Sequence, residues 1–297
     1  LVGRNTDIFC PMYYPTWSCE SYATDPNYTR PLIQCEYDHT MGNSSGVIKD
    51  YWDLVRKYPK FQGGYIWDFV DQALHRKLVK PMSMKIDEHT PYTELNKIDY
   101  TYGGDYNSYD PSDNNFNCNG IIGPDRQLNP HAYEIAHEYQ NIWASESDLK
   151  TGKIKIYNEN FFRDLKNYKL VWKLLVDGKV AQNGEVADLN VEPQRTAEII
   201  LPYRLNNIGK EAEVLLNIDF QLKSEEPLMK AGQTVAYNQL IIQKYGYSCC
   251  SFEDPKTAVA SKINLLNKKK LDVITVSSDN MEIVFDKATG LLNKYKV

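Results

Sequence analysis

Long apolar runs are missing from this chain. No stretch of its 297 residues approaches the roughly 20 consecutive apolar residues that a membrane helix needs. An excess of positive charge is missing too. Lys and Arg number 34 against 39 Asp and Glu, for a net charge of -5 and a pI near 5.6. A nucleic-acid partner would want a basic face, so none is expected, and neither is a membrane partner. Cysteine is sparse: the six present show no CxxC and no Cys/His metal spacing. That argues against a disulfide scaffold in a chain of this length and leaves reduced structural thiols as the expectation, Cys249 and Cys250 being adjacent. A Met start and a signal-peptide pattern are also missing, the first residue being Leu1. What is present, 42% hydrophobic and 25% charged residues, describes a globular chain of one large domain or two to three ordinary ones. Tyr is abundant at 22, with 5 Trp. Aromatic rings are how sugar sites offer flat apolar platforms, although β-rich chains favour Tyr in any case.

The most informative stretch is Arg30 to Asn43, RPLIQCEYDHTMGN. Pro31 to Cys35 is a short, mostly apolar run that suits a buried strand, ending abruptly in Glu36, Tyr37, Asp38 and His39 before the break at Gly42 and Asn43. A carboxylate where a buried strand meets a polar loop is where barrel enzymes keep catalytic groups. Val47, Ile48, Tyr51, Trp52 and Val55 follow at helical spacing, with Ser44 or Ser45 able to cap the helix. Strand, loaded loop and amphipathic helix make one βα unit.

Around it, Thr6 to Pro15 reads as a short strand with Met12 and Tyr13 at its mouth, and Ser18 to Tyr28 as a connecting loop or helix. Phe61 to Val70 reads as a third strand, Gly63 and Gly64 allowing close backbone approach and Trp67 and Asp68 at its far end. Three such strands are too few for a barrel of eight. Lys77 to Tyr102 is polar and irregular, a long excursion. Gly103 to Asp105 and Asp113 to Gly120 form a Gly/Asn/Asp-rich loop, and Asn129-Pro130 opens a helix through Glu138. From about Ile142 the pattern becomes period two. Tyr168 to Val176 and Lys179 to Val186 should form a hairpin across Asp177-Gly178. Further strands are expected at Ala197 to Leu201, Glu213 to Leu222 and Thr234 to Gln243, together an antiparallel β-sandwich. Lys256 to Lys270 reads as a linker, and Glu282 to Asp286 with Leu291 to Tyr295 as a hairpin that stops in mid-pattern.

CEYDHTMGNS, followed by FQGGYIWDFVDQ, closely resembles the large bacterial β-galactosidases of glycoside hydrolase family 2, a likeness running over nearly the whole chain. The resemblance implies a multidomain α/β plus all-β chain. Residues 1–140 would be the C-terminal part of a (β/α)8 TIM barrel, 141–250 an immunoglobulin-like β-sandwich, and 251–297 a linker and the truncated start of a further β domain. It implies a retaining glycosidase that hydrolyses β-galactosides, with Glu36 as nucleophile and Tyr13, in CPMY, donating to Glu36 or to the departing sugar oxygen. By the same likeness His39 contacts sugar hydroxyls, those at C3 or C4, Trp67 walls the sugar site, and Met12 is a second, lesser candidate for that wall. The Phe116 carbonyl and the Asn119 side chain would hold a sodium ion beside the galactose 6-hydroxyl, placing Asn119 in the sugar site as well. Asp113 could orient that site, and Asp68 reads as a supporting acid. Asp38 and Thr40 stand where the likeness calls for smaller apolar residues, and the loop departs from the family wording between Asn114 and Cys118.

The acid/base glutamate, the magnesium ligands and a further sodium ligand would lie upstream of Leu1, so this chain alone is expected not to catalyse efficiently. The parent would be a homo-oligomer, in the cytoplasm or periplasm of a bacterium. Two alternatives stand beside this one: a family 2 glycosidase for another β-glycoside, such as a glucuronide or mannoside, and a non-catalytic carbohydrate-binding or structural β module.

Overall fold

The structure, a computed structural model, describes residues 5–75, 100–102, 105, 109, 111–113, 116–246 and 262–296. Most of the excursion expected over Lys77 to Tyr102 lies outside the described residues, as do Gly103, Gly104, Asn114, Asn115, Cys249 and Cys250. The chain divides into two units, residues 1–207 with 214–242, and residues 208–213 with 243–297.

The first unit opens with a parallel arrangement. The segment around Phe9 and Met12 bridges in parallel to Leu32 and Glu36 of β1 (Leu32–Tyr37), and β1 pairs in parallel with β2 (Phe61–Ile66). Parallel neighbours need crossovers, and helices α1 (Thr16–Thr24) and α2 (Ile48–Lys57) supply them. α2 carries Asp50 in its first turn and Arg56 and Lys57 in its last, which suits the helix dipole. Its buried Ile48 and Tyr51 join Phe9, Cys19, Tyr22, Leu32, Tyr37, Phe61 and Ile135 in one apolar core.

Capping differs from expectation. Val47 occupies the N-cap of α2, and Ser44 instead donates 2.6 Å to the His39 carbonyl, so its hydroxyl orders the loaded loop. Asn129 does sit at the N-cap of α3 (Pro130–Glu138), but its amide is engaged elsewhere, 2.8 Å from the Gly120 carbonyl. The expected strand Phe61 to Val70 ends at Ile66. Beyond it, residues 67–72 are laced to 117–122: Asp68 N–H donates to Asn119 at 2.7 Å and Ile121 N–H to Asp68 at 3.0 Å. The two-residue strands β3 (Leu74–His75) and β4 (Tyr100–Thr101) pair with each other.

After α3 the unit is all antiparallel. β5 (Ile142–Asp148), β6 (Lys153–Asn158) and β9 (Thr196–Ile200) form one sheet. β7 (Tyr168–Val176), β8 (Lys179–Val186), β10 (Val214–Leu222) and β11 (Thr234–Gln243) form another, in the order β11-β10-β7-β8. β10 buries every second residue, the pattern of a strand with one face in a core. Asp177 and Gly178 link β7 to β8 with φ of 49° and 75°, the double positive φ of a type I′ turn.

In the second unit β12 (Asn264–Leu266), β13 (Val273–Ser277), β14 (Glu282–Asp286) and β15 (Leu292–Lys296) form an antiparallel meander. β12 falls within the stretch expected as a linker. Its apolar Leu265 and Leu266 pair with Val276 and Thr275 of β13.

Candidate active site

Glu36 sits near the end of β1 where the register with β2 shifts, Gln34 facing Gly64 and Tyr37 facing Ile66. Irregularities of this kind re-aim side chains beside active sites. A Cβ on Gly64 would lie 2.9 Å from Gln34 Cβ and 2.9 Å from a Tyr37 ring carbon, so a glycine is required for β2 to come this close.

Tyr13 N–H donates 2.8 Å to the Glu36 carbonyl, and the Glu36 carboxylate acts on the Tyr13 phenol. Burial, with that carboxylate as second cause, pushes the Tyr13 phenol well above its ordinary range, so it stays a proton donor. Tyr13 and Asp38 both have positive φ, 52° and 48°, backbone strain of the sort that gathers at functional sites. The His39 ring lies 6.0 Å from that of Tyr13 and 5.2 Å from that of Phe116. His39 Nε2 is buried without a partner. Thr40 N–H donates to the Trp67 carbonyl at 2.9 Å, bringing the loaded loop against the end of β2.

These groups face one cleft of about 590 Å³. Of the residues singled out from the sequence, Tyr13, Glu36, His39, Trp67, Asp113, Phe116 and Asn119 line it. Met12 does not. Its backbone bridges to Glu36, but its side chain is exposed and is not among the lining residues. Gln72, Tyr102, Pro111, Ser112 and Asn117 line the cleft as well and were missed. A signal existed for Gln72, which ends the same FQGGYIWDFVDQ stretch as Trp67. Its side chain donates to Asp68 at 2.8 Å, and its backbone exchanges hydrogen bonds with Asn117. Asp68 is held by Gln72 and does not line the cleft.

Asn119 is 2% exposed, its Nδ2 donates 2.5 Å to the Phe116 carbonyl, and its Oδ1 has no donor. A buried amide oxygen without a donor is costly, and a hard cation is one group that would relieve it. Among the described residues no group of three or more His, Cys, Asp and Glu could hold a metal. Asp38 is 8% exposed with one unpartnered oxygen. Burial raises its carboxyl to about 6, with Glu134 adding to the rise while the Gly46 N–H and His131 oppose it.

The family model described as "Glycosyl hydrolases family 2, TIM barrel domain" matches residues 4–144, and "Beta-galactosidase, domain 4" matches residues 154–243. A protein of Pectobacterium atrosepticum named "Beta-galactosidase" is 34% identical over 251 residues, 80% of this chain and 22% of the relative. Proteins of the same name from Pseudoalteromonas haloplanktis and Yersinia enterocolitica are 30% and 32% identical, each over 98% of this chain and over 28% and 27% of the relative. The chain thus spans about a quarter of the length of the relatives it matches. It belongs to glycoside hydrolase family 2, with residues 4–144 in that family's TIM-barrel domain.

Proposed function

We propose that this chain carries the nucleophile half of a retaining β-galactosidase. The observation that bears the reading is convergence: Glu36, Tyr13, His39, Trp67 and Asn119, from four separate segments, face one cleft. Relatives that cover most of the chain carry the name "Beta-galactosidase", which supports galactose as the sugar.

Glu36 attacks the anomeric carbon, and the glycosidic C–O bond breaks as the aglycone oxygen takes a proton from a general acid. Water then displaces Glu36, losing its proton to the same group acting as base. Tyr13 holds the Glu36 carboxylate oriented through its hydroxyl. His39 Nε2, buried without a partner, is suited to a sugar hydroxyl, and Trp67 offers the apolar wall. Met12 stands outside the lining and takes no part in that wall.

Phe116 O and Asn119 Oδ1 would hold a sodium ion, which supplies a fixed positive charge beside a sugar hydroxyl. The acid/base carboxyl must stand about 5–5.5 Å from Glu36. We place it, with the magnesium ligands, on barrel strands outside these 297 residues, in a parent that assembles from identical copies. The alternately buried strands of the two antiparallel sheets support an immunoglobulin-like sandwich, and the β12–β15 meander the start of a further β domain.

The test is Glu36→Gln in the longest natural protein that carries this chain, assayed on an aryl β-galactoside. Loss of turnover by at least about 10³-fold, with galactoside binding retained, is expected. Unchanged turnover, or an unaltered protein with no turnover on any aryl glycoside, would favour a silent β module. Turnover confined to a glucuronide or mannoside would replace the substrate.

A further inference from the structure

Thr40 is one of the two residues that depart from the family wording around Glu36, and it is 1% exposed. Its hydroxyl donates to the carbonyl of Asn119 at very short range and lies 3.3 Å from the carbonyl of Trp67. Its backbone N–H also donates to Trp67, at 2.9 Å. The Asn119 carbonyl accepts a second bond, from Asp68 N–H at 2.7 Å. One small side chain therefore joins the segment that carries His39 to the segments that carry Trp67 and Asn119. An alanine or other small apolar residue here would leave the backbone bond to Trp67 and remove the link to Asn119.

We infer that Thr40 is a positioning residue, which seats the segment carrying His39 against the joined Trp67 wall and Asn119 corner and so tunes sugar affinity in this chain. The inference rests on the glycosidase reading. Thr40 touches neither the nucleophile nor its partner: Tyr13 is tied to Glu36 by its own backbone bond of 2.8 Å. The wall and the corner hold the sugar in ground state and transition state alike. Loosening them removes uniform binding, which raises KM and leaves kcat in place. A buried hydroxyl that merely supported the fold would instead change stability without that split.

The experiment compares Thr40→Val, Thr40→Ala and Thr40→Ser in the longest natural protein carrying this chain, with an aryl β-galactoside as substrate. Valine keeps the shape without the hydroxyl, alanine provides a second hydroxyl-free variant should valine fail to fold, and serine keeps the hydroxyl. Expected are a KM raised about tenfold in the valine and alanine variants, a kcat within about twofold, and a serine variant close to the unaltered protein. KM unchanged in both hydroxyl-free variants, or a loss confined to kcat, overturns the inference.

Backbone amide exchange separates this from a failure of the glycosidase reading. If the unaltered protein hydrolyses no aryl glycoside, peptides spanning 38–42, 66–70 and 117–121 decide. Faster exchange in the valine and alanine variants but not the serine variant upholds the link. Equal exchange in all three sinks it.

Discussion

The Arg56 guanidinium lies over the ring of Trp143, 4.6 Å from its centroid, so the last turn of α2 is clamped to β5. The same group lies 2.9 Å from Glu159 and 3.4 Å from Glu138, and 5.3 Å from the Trp52 ring. This one side chain couples the parallel barrel part to the first antiparallel sheet through charge and ring contacts together.

Arg56→Met keeps the stem and removes the charge. Glu138, whose side chain is 7% exposed, then stands buried without its cation. A loss of about 2 kcal/mol is expected, less than for a fully buried pair because Arg56 is 25% exposed. Urea unfolding followed by Trp fluorescence measures it, and a change below about 0.5 kcal/mol would mean the clamp is ornamental.

Asp38 makes the stability of this unit depend on pH. Its carboxyl is raised from the ordinary 3.8 to about 6 by burial, so the folded state favours the neutral form. The contribution is complete below the unfolded value and is lost as pH rises through about 6. Asp38→Asn should match the unaltered protein near pH 3.5 and exceed its stability by up to roughly 3 kcal/mol at pH 8. Unfolding midpoints across that range would contradict this if the two curves ran parallel.

Gly120 has no room for a methyl group. A Cβ there would stand 2.2 Å from Asp71 N and 2.6 Å from Ile122 O, both backbone atoms. Gly120→Ala should push residues 117–122 away from 67–72 at a cost of about 3 kcal/mol, opening the Asn119 side of the cleft. A thermal midpoint within about 1 °C of the unaltered protein would show that the two segments are not locked together.

Tyr13→Phe removes one hydroxyl from the nucleophile and little else. A hydrogen bond to a charged group is worth about 1.5–3 kcal/mol, so kcat on an aryl β-galactoside should fall by about 10- to 100-fold. Steady-state kinetics with kcat unchanged would mean the phenol does not serve Glu36.

Much of this was legible in the one-dimensional chain because it depends on neighbours in sequence. The apolar run ending in Glu36, the helical spacing of Ile48 and Tyr51, and Asp177-Gly178 between alternating runs each specify a local geometry through period or turn chemistry. The stretches CPMY, CEYDHTMGNS, FQGGYIWDFVDQ and DNNFNCNG picked out Tyr13, Glu36, His39, Trp67 and Asn119, which face one cleft in the fold. Other features were settled only in three dimensions. Ser44 and Asn129 read as helix caps, but a hydroxyl or amide bonds whichever orphan carbonyl lies nearest, and folding put His39 and Gly120 in reach. Met12 read as a site wall, yet its side chain stands outside the cleft lining. Gln72, Asn117 and the hydroxyl of Thr40 acquired their places from contacts across up to 79 residues of sequence, and no local pattern encodes a partner that distant.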